Sequence, residues 1–486
     1  MNIETNIIGV VFGISLLATL FLAAVGRVLS ARDLIDRDLA GRSLNKWFVG
    51  LSAAATGNSG FIVTGAVGLG YIGGIQWLML PLAWFLGDLI FWSAFPSRLN
   101  KLGRTARATT LSELLAYGLN GSSAKLLKVL VALVLVIFLS LYTSAQWLAG
   151  QKFLSTAFEF SDLPALIFFS CTIIAYSALG GFRGSVYADT LQAVVSIVGT
   201  CAAIGSVAWL AMADMSSFVE NIRGAGPEFL DPSPSASFLG VLGFFAGFAS
   251  ASLGFGLGQP QVVTRYFAGS SPEETRAARW IYMGFLQFTW ISMTLFGVML
   301  RGIMPDIQDA ETGLSVFFKE NMSPILVGLT FAYVFAIIAS TANSIVVSVA
   351  QSAYRDILTV FAPPVEEKRH TPFLVILAIG IITIGLSFIV PGNVFSIAIG
   401  AVSKIGAGIA GPVIVKTLRW KHTSTSLILA ISAGIGAAIV WEYIGLSLDF
   451  NEAGIGIAVS LSVNWTISRL GGAERKRGKP RRDGIL

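Results

Sequence analysis

Between residues 324 and 352 runs a long apolar stretch whose middle reads Ser340-Thr341-Ala342-Asn343-Ser344, four oxygen-bearing side chains in five positions. A hydroxyl in an apolar helix can bond back to its own i−4 carbonyl, so any one of these has a local explanation. Four of them, on more than one helical face, do not. Oxygen is what a hard cation such as sodium selects over nitrogen or sulfur. The chemistry these residues suit is coordination of a desolvated cation by hydroxyls, completed by main-chain carbonyls.

Free carbonyls come from broken helices. The run Ala53-Ala54-Ala55-Thr56-Gly57-Asn58-Ser59-Gly60 interrupts one bulky apolar segment with eight small or polar residues, and Gly254-Phe255-Gly256-Leu257-Gly258-Gln259-Pro260 interrupts another with three glycines and a proline. The two lie five apolar segments apart. That offset is expected for corresponding helices of a five-plus-five inverted repeat, in which solute and ion bind near mid-membrane on the interrupted pair. Small-residue runs also serve as close-packing helix faces. The polar Asn58 and Gln259 within the two runs favour a binding site.

Three ionisable residues stand inside apolar segments, where each costs ~2.5–3.5 kcal/mol by insertion scales and is a functional candidate. They are Asp88, Asp189 and Lys404. Asp189 follows Gly180-Gly181-Phe182-Arg183-Gly184 and opens a span, which suits a helix cap, an ion exit path or both. Lys404 sits about ten residues into a span, too deep to snorkel easily. It needs an acidic partner, for which Asp88 is a candidate, or an anionic ligand.

The elements that must hold these groups follow from composition. The chain of 486 residues is 54% hydrophobic and 12% charged, against ~25% charged in an ordinary soluble domain. Its 52 glycines therefore lie within apolar segments. This excludes a soluble globular protein and gives an all-α polytopic membrane protein in the lipid bilayer. The net charge of +6 does not imply nucleic acid, because no basic face on a soluble surface carries it. Cys171 and Cys201 fall in apolar runs and read as packing residues. His370 and His422 lie far apart in polar loops, so neither a metal site nor a catalytic dyad is indicated. The longest polar stretches, 97–128 and 213–237, are too short for a catalytic domain, and no enzymatic activity is expected.

A ~19-residue hydropathy window places about 13 spans, near 7–26, 47–73, 76–96, 129–151, 163–179, 187–212, 238–262, 280–300, 324–352, 372–390, 394–415, 423–445 and 453–468. The first does not read as a signal peptide, since Glu4 and no basic residue precedes it. Of 33 Lys and Arg residues, 28 fall in the loops of one side and four on the other. The positive-inside rule then puts the C-terminus, with its basic stretch 474–482, in the cytoplasm and the N-terminus outside. A cell-membrane location follows. The expected divisions are 1–46, an extra helix and loop; 47–212 and 238–415, the two repeats; and 416–486, two further helices and the tail.

These landmarks, in this order and over nearly the whole chain, resemble the sodium/solute symporter family. The strongest are Ala175 to Gln192, similar to that family's GG…D..Q signature around Asp189, and Gly256-Leu-Gly-Gln-Pro260-Gln-Val-Val-Thr-Arg265-Tyr-Phe-Ala268, closest to its sodium/proline branch. Leu51 to Gly60, Gly411-Pro412 with Trp420, and Val440-Trp441 add to it. The resemblance implies the leucine-transporter type of inverted repeat, with one extra helix before and two after. It implies a co-transported sodium ion held by the carbonyls of Ala55, Asn58 and Ile337 and the hydroxyls of Ser340 and Thr341. A second ion of some members would map to Asp189, Ser340, Asn343 and Ser344, with Asn343 where they carry serine.

For the substrate, the resemblance implies a pocket at Gly57, Ser59, Tyr142, Ser252, Phe255 and Gln259. Gly57 stands where the proline branch has an acidic residue and Ser252 where it has a tryptophan, which implies a wider pocket, while Tyr142 is retained. Lys404 falls on a pocket-side helix by analogy, suited to a substrate carboxylate. The expected function is sodium-coupled import of a small organic solute, an amino acid or other small carboxylate being favoured, with no obligatory protein partner. Two alternatives stay open. Proton coupling needs a carboxylate such as Asp189 or Asp88 near the ion path. A transporter-shaped solute sensor would carry a signalling domain, and the residues after Arg469 are too few for one.

Overall fold

The computed structural model describes residues 3–29, 38–362, 371–447 and 449–470. The basic stretch 474–482 and His370 lie outside the described residues. Helices dominate the described residues, which hold one isolated bridge, Leu44 with Gly269, and no strand.

Nine helical segments among the described residues are long and apolar enough to cross a membrane: Asn6–Gly26, Gly60–Ala94, Gly121–Phe158, Asp162–Ala213, Phe238–Gly258, Pro272–Ile303, Pro324–Phe361, Val394–Thr417 and Ser424–Tyr443. Their relation to the expected 13 spans is instructive. The part of the expected span 47–73 that follows Ser59 runs into the span 76–96 as one helical stretch, Gly60–Ala94, and 163–179 and 187–212 also join, with a single residue as their junction. Gly181 adopts φ 58°, ψ −161° inside an otherwise continuous helix. That backbone region is nearly restricted to glycine, so it bends the chain without a loop. Asp189, expected at a helix start, therefore lies well inside a helix. The short apolar helix Phe373–Ser387 and the more polar Glu452–Leu470 account for the other two expected spans.

The helices that build the site are, in chain order, α1 (Lys46–Gly57), α2 (Gly60–Val63), α3 (Gly65–Gly73), α4 (Met79–Ala94), α5 (Gly121–Phe158), α6 (Asp162–Ala213), α7 (Phe238–Gly258), α8 (Pro260–Ala268), α9 (Arg279–Ile303), α10 (Pro324–Gln351) and α11 (Val394–Ile405). α10 is enclosed over most of its length, with every residue from Thr330 to Ala350 buried, which suits a central helix.

Both expected breaks occur, each inside its small-residue run and near the C-terminal end of it. The first falls at Asn58-Ser59. Asn58 leaves helical geometry at φ −82°, ψ 72°, and the Ser59 side chain caps the next helix by accepting from the Phe61 N–H at 3.2 Å. The second falls at Gln259, extended at φ −85°, ψ 108°, ahead of Pro260 at the start of α8. Gly254, Gly256 and Gly258 remain helical and serve approach instead: a β-carbon at Gly254 would come within 2.9 Å of the Gly406 Cα. Proline makes the second break because it has no N–H to donate and its ring clashes with the preceding turn.

Cys171 and Cys201 are exposed on the protein surface, not packed inside. Lipid-facing and protein-facing apolar surfaces are chemically alike, so sequence does not separate them.

Candidate functional site

At the first break, four backbone groups lose their helical partners, two N–H groups and two carbonyls. In a continuous helix Ser59 N–H would donate to Ala55 and Gly60 N–H to Thr56. Here Ser59 N–H donates to the Gly57 carbonyl at 3.0 Å and Gly60 N–H to the Gln146 side chain at 3.0 Å. The carbonyls of Ala55 and Thr56 are thereby freed within the protein interior, where a polar group must find a partner.

Those carbonyls meet the hydroxyls of α10. Ser340 Oγ donates to Ala55 O at 3.0 Å and to Ile337 O at 2.9 Å. Thr341 Oγ1 lies 3.4 Å from Ala55 O and 3.0 Å from Thr56 O. Four of the five groups expected around a sodium ion, those of Ala55, Ile337, Ser340 and Thr341, are thus within hydrogen-bonding reach of one another. Asn58, whose carbonyl is the expected fifth group, is buried, and its side-chain oxygen accepts from Thr289 at 3.2 Å. Thr56 joins this group and was not foreseen; its carbonyl is freed by the same break as that of Ala55. A cluster of neutral oxygens at a helix break is the donor chemistry that sodium requires.

The other oxygens expected on an ion path surround a different cation. Arg265 is buried at 1% exposure. Its Nη2 donates to Asp189 Oδ2 at 2.9 Å, Ser344 Oγ at 2.7 Å and Ser185 Oγ at 3.1 Å, its Nε to Ser52 Oγ at 3.0 Å, and its Nη1 to the Gln261 carbonyl. Ser52 in turn donates to Asp189 at 2.8 Å, and the guanidinium lies over the Phe182 ring. One side chain therefore ties α8 to α1, α6 and α10. The hydropathy window ends a span at 262 and so leaves Arg265 in a loop, because the average blurs the end of a short helix. The planar fork of donors explains why arginine, not lysine, holds so many acceptors at once. Asn343 is buried nearby in sequence, with its amide nitrogen unpartnered.

A pocket opens beside the first break. Of the residues expected around a substrate, Gly57, Ser59, Tyr142 and Phe255 line it, together with Phe61, Trp84, Trp290 and Phe395 among others. Ser252, Gln259 and Lys404 do not line it. Ser252 is fully buried and donates to Asp88 at 2.9 Å. Gln259 accepts from Gln261 at 2.8 Å at the second break. Lys404 pairs with Glu442 at 2.7 Å and lies 3.9 Å from Glu452, so its acidic partners come from the C-terminal helices and not from Asp88. The spacing of Lys404 and Glu442, on separate spans, concealed that pair from sequence.

With this geometry in hand, relatives can be compared. The model of the sodium:solute symporter family matches residues 38–434. The high-affinity proline transporter PutP of Bacillus subtilis is 24% identical over 442 residues, covering 88% of this chain and 91% of its own. The sodium/proline symporter of Staphylococcus aureus is 24% identical over 464 residues, covering 90% and 88%. Among solved structures, a Na+-coupled sialic acid symporter in a substrate-bound outward-open state superposes with a TM-score of 0.76 at 18% identity, over 96% of this chain and 98% of that one. MhsT, solved in complex with L-phenylalanine, gives 0.53 at 17% identity over 86% and 98%. The fold is that of the leucine-transporter type.

Proposed function

Since the chain belongs to the sodium:solute symporter family, and is a sodium-coupled symporter with a multi-pass helical body, we propose that it imports a small organic solute by alternating access. Sodium binds among the carbonyls of Ala55, Asn58 and Ile337 and the hydroxyls of Ser340 and Thr341, with Thr56 as a further donor. The solute binds in the aromatic pocket at Gly57, Ser59, Tyr142 and Phe255. An amino acid is the favoured cargo, a choice supported by the proline transporters among its relatives.

The observation that carries this reading is the meeting of the freed Ala55 carbonyl with the Ser340 hydroxyl at 3.0 Å. Sodium in that place bridges a broken helix to α10, so its binding orders the wall of the pocket, and ion and solute stabilise one shared arrangement. The two repeats, 47–212 and 238–415, then move about the loaded site, carrying it from outside to the cytoplasm. We assign one sodium per cycle. Asp189 and Ser344, two of the four residues of the expected second site, already accept from the Arg265 guanidinium, which supplies the positive charge there.

One charge crossing ~100 mV contributes ~2.3 kcal/mol. At 1.4 kcal/mol per tenfold, that supports roughly 40-fold accumulation before any sodium gradient is added. The test is uptake into proteoliposomes with sodium outside, an inside-negative potential and a panel of labelled amino acids and other small solutes. Accumulation that requires sodium and collapses when potassium replaces it supports the reading. Accumulation that is indifferent to the replacement sinks it.

A further inference from the structure

The pocket is walled by a collar of aromatic rings. Trp84 meets Phe255 at 5.7 Å and Trp290 at 5.4 Å between ring centroids, and Phe61 meets Trp290 at 5.3 Å and Phe395 at 5.2 Å. Among the described residues, no lysine or arginine lines it. Aromatic faces carry a negative quadrupole that attracts cations and offers nothing to an anion.

A carboxylate stands behind one seam of this collar. Asp88 is four residues after Trp84 and so on the same face of α4. Its partner Ser252 is three residues before Phe255, on the same face of α7. The Asp88–Ser252 contact and the Trp84–Phe255 contact are therefore neighbours along one helix interface. Gly87 permits the approach, because a β-carbon there would run into the Ala249 carbonyl and come within 2.6 Å of the Ser252 Cβ.

Asp88 is 1% exposed. One of its oxygens accepts from Ser252 at 2.9 Å, and the other has no hydrogen-bond partner. Tyr266, Tyr282 and Trp92 also face this region; the Tyr266 hydroxyl and the Trp92 N–H are without partners too. None of these groups is a cation, and Arg265, which also faces Tyr266, is paired with Asp189. A carboxylate in such surroundings calls for positive charge, and an intramembrane acid without a structural partner points to function.

We propose that the pocket selects solutes carrying a positively charged nitrogen, as an amine or quaternary ammonium, held between the aromatic collar and the field of Asp88. Ser252 orients the carboxylate and leaves its second oxygen for this task. Direct contact is not required, since charge–charge attraction across one aromatic layer is strong in a low-dielectric interior. An amino acid meets the requirement through its ammonium group, whereas a monocarboxylate or a neutral sugar does not. The proposal rests on the symport reading and narrows its substrate.

The experiment is thermal stabilisation of the purified protein in sodium and in potassium by L-proline, glycine betaine, choline, pyruvate and glucose. The uncharged carbon analogue of choline, 3,3-dimethylbutan-1-ol, controls for shape. A ligand of the folded state raises the melting temperature by mass action. At least one of the three solutes with a cationic nitrogen, zwitterionic proline and betaine or cationic choline, is expected to stabilise, with pyruvate, glucose and the alcohol silent. Asp88→Asn keeps an acceptor for Ser252 and removes the charge; it should bind that solute at least about thirtyfold more weakly. The melting temperature of Asp88→Asn without solute, and its response to sodium alone, report that the fold is intact. Stabilisation by pyruvate, glucose or the alcohol equal to that by the solutes with a cationic nitrogen, silence from all three of those solutes, or unchanged affinity in Asp88→Asn would each overturn the proposal. Stabilisation that is equal in sodium and potassium contradicts symport instead and leaves the Asp88 comparison readable.

Discussion

The Ser340 hydroxyl donates at 3.0 Å to the carbonyl of Ala55, a residue 285 positions away in the chain. That carbonyl is available only because the helix ends three residues later, and the hydroxyl is available only because α10 runs through the centre of the bundle. Two unrelated features of the sequence, a small-residue run and a hydroxyl-rich run, become one site where they touch.

Removing one oxygen from that site should weaken sodium binding and little else. Hydrogen bonds and similar contacts to charged partners are worth ~1.5–3 kcal/mol, so Ser340→Ala and Thr341→Ala should each raise the half-saturating sodium concentration by about tenfold or more. Thr341→Ser keeps the hydroxyl and should stay near the parent protein. Sodium-dependent uptake, or melting temperature against sodium, measures all three. Equal behaviour of Thr341→Ala and Thr341→Ser would contradict the role given to the hydroxyl.

The Arg265–Asp189 pair should behave as a unit. Breaking a buried pair from one side leaves an uncompensated charge and costs ~3–5 kcal/mol. Arg265→Met and Asp189→Asn should thus each lower stability severely, and the double variant should be less unstable than the sum of the two. A double-mutant cycle on thermal or denaturant unfolding reads the coupling. Additive losses would show that the two side chains act independently.

Gly181 and Gly205 sit in one helix, and neither would meet another atom within 4 Å if given a β-carbon. Only Gly181 has a positive φ, at 58°. Gly181→Ala should therefore cost ~1–3 kcal/mol through backbone strain alone, while Gly205→Ala should be neutral or stabilising by up to ~1 kcal/mol. Melting temperatures of the two variants in the same detergent decide it. Loss of stability at both positions would place the effect in lipid or detergent contact and not in the bend.

Lys404 offers a sharp contrast between sequence and structure. Its ammonium pairs with Glu442, whose side chain is 48% exposed, and such accessible pairs contribute little, ~0–1 kcal/mol. Lys404→Met should leave solute affinity within about twofold, a change below ~0.5 kcal/mol. A solute titration of the melting temperature is sufficient. A loss of tenfold or more would return Lys404 to the pocket.

Much of this architecture is legible in the sequence, for physical reasons that differ by element. The break at Asn58-Ser59 announces itself because a run of small residues cannot be a lipid-facing helix without cause, and the break at Gln259 because Pro260 forbids continuation. The hydroxyls at Ser340 and Thr341 are legible because polarity inside an apolar helix is costly. Their partners across the bundle, Ala55 and Ile337, are chosen by their carbonyls, which every residue has, so only resemblance to a family could nominate them. Arg265 was misplaced because burial of a cation depends on acceptors from three other helices, and Ser52, Ser185 and Ser344 are individually unremarkable serines. The Asp88–Ser252 contact was hidden in the same way. A charge in a span advertises that it needs a partner without saying which helix supplies it.

The central claim is that sodium binds between the broken helix and α10. The most direct measurement is the melting temperature of the purified protein across a sodium chloride titration, with potassium chloride holding ionic strength constant, for the parent protein and for Ser340→Ala. The account predicts a saturable rise with sodium in the parent protein that moves to about tenfold higher concentration, or disappears, in Ser340→Ala. A rise that is the same in potassium, or the same in both proteins, would contradict it.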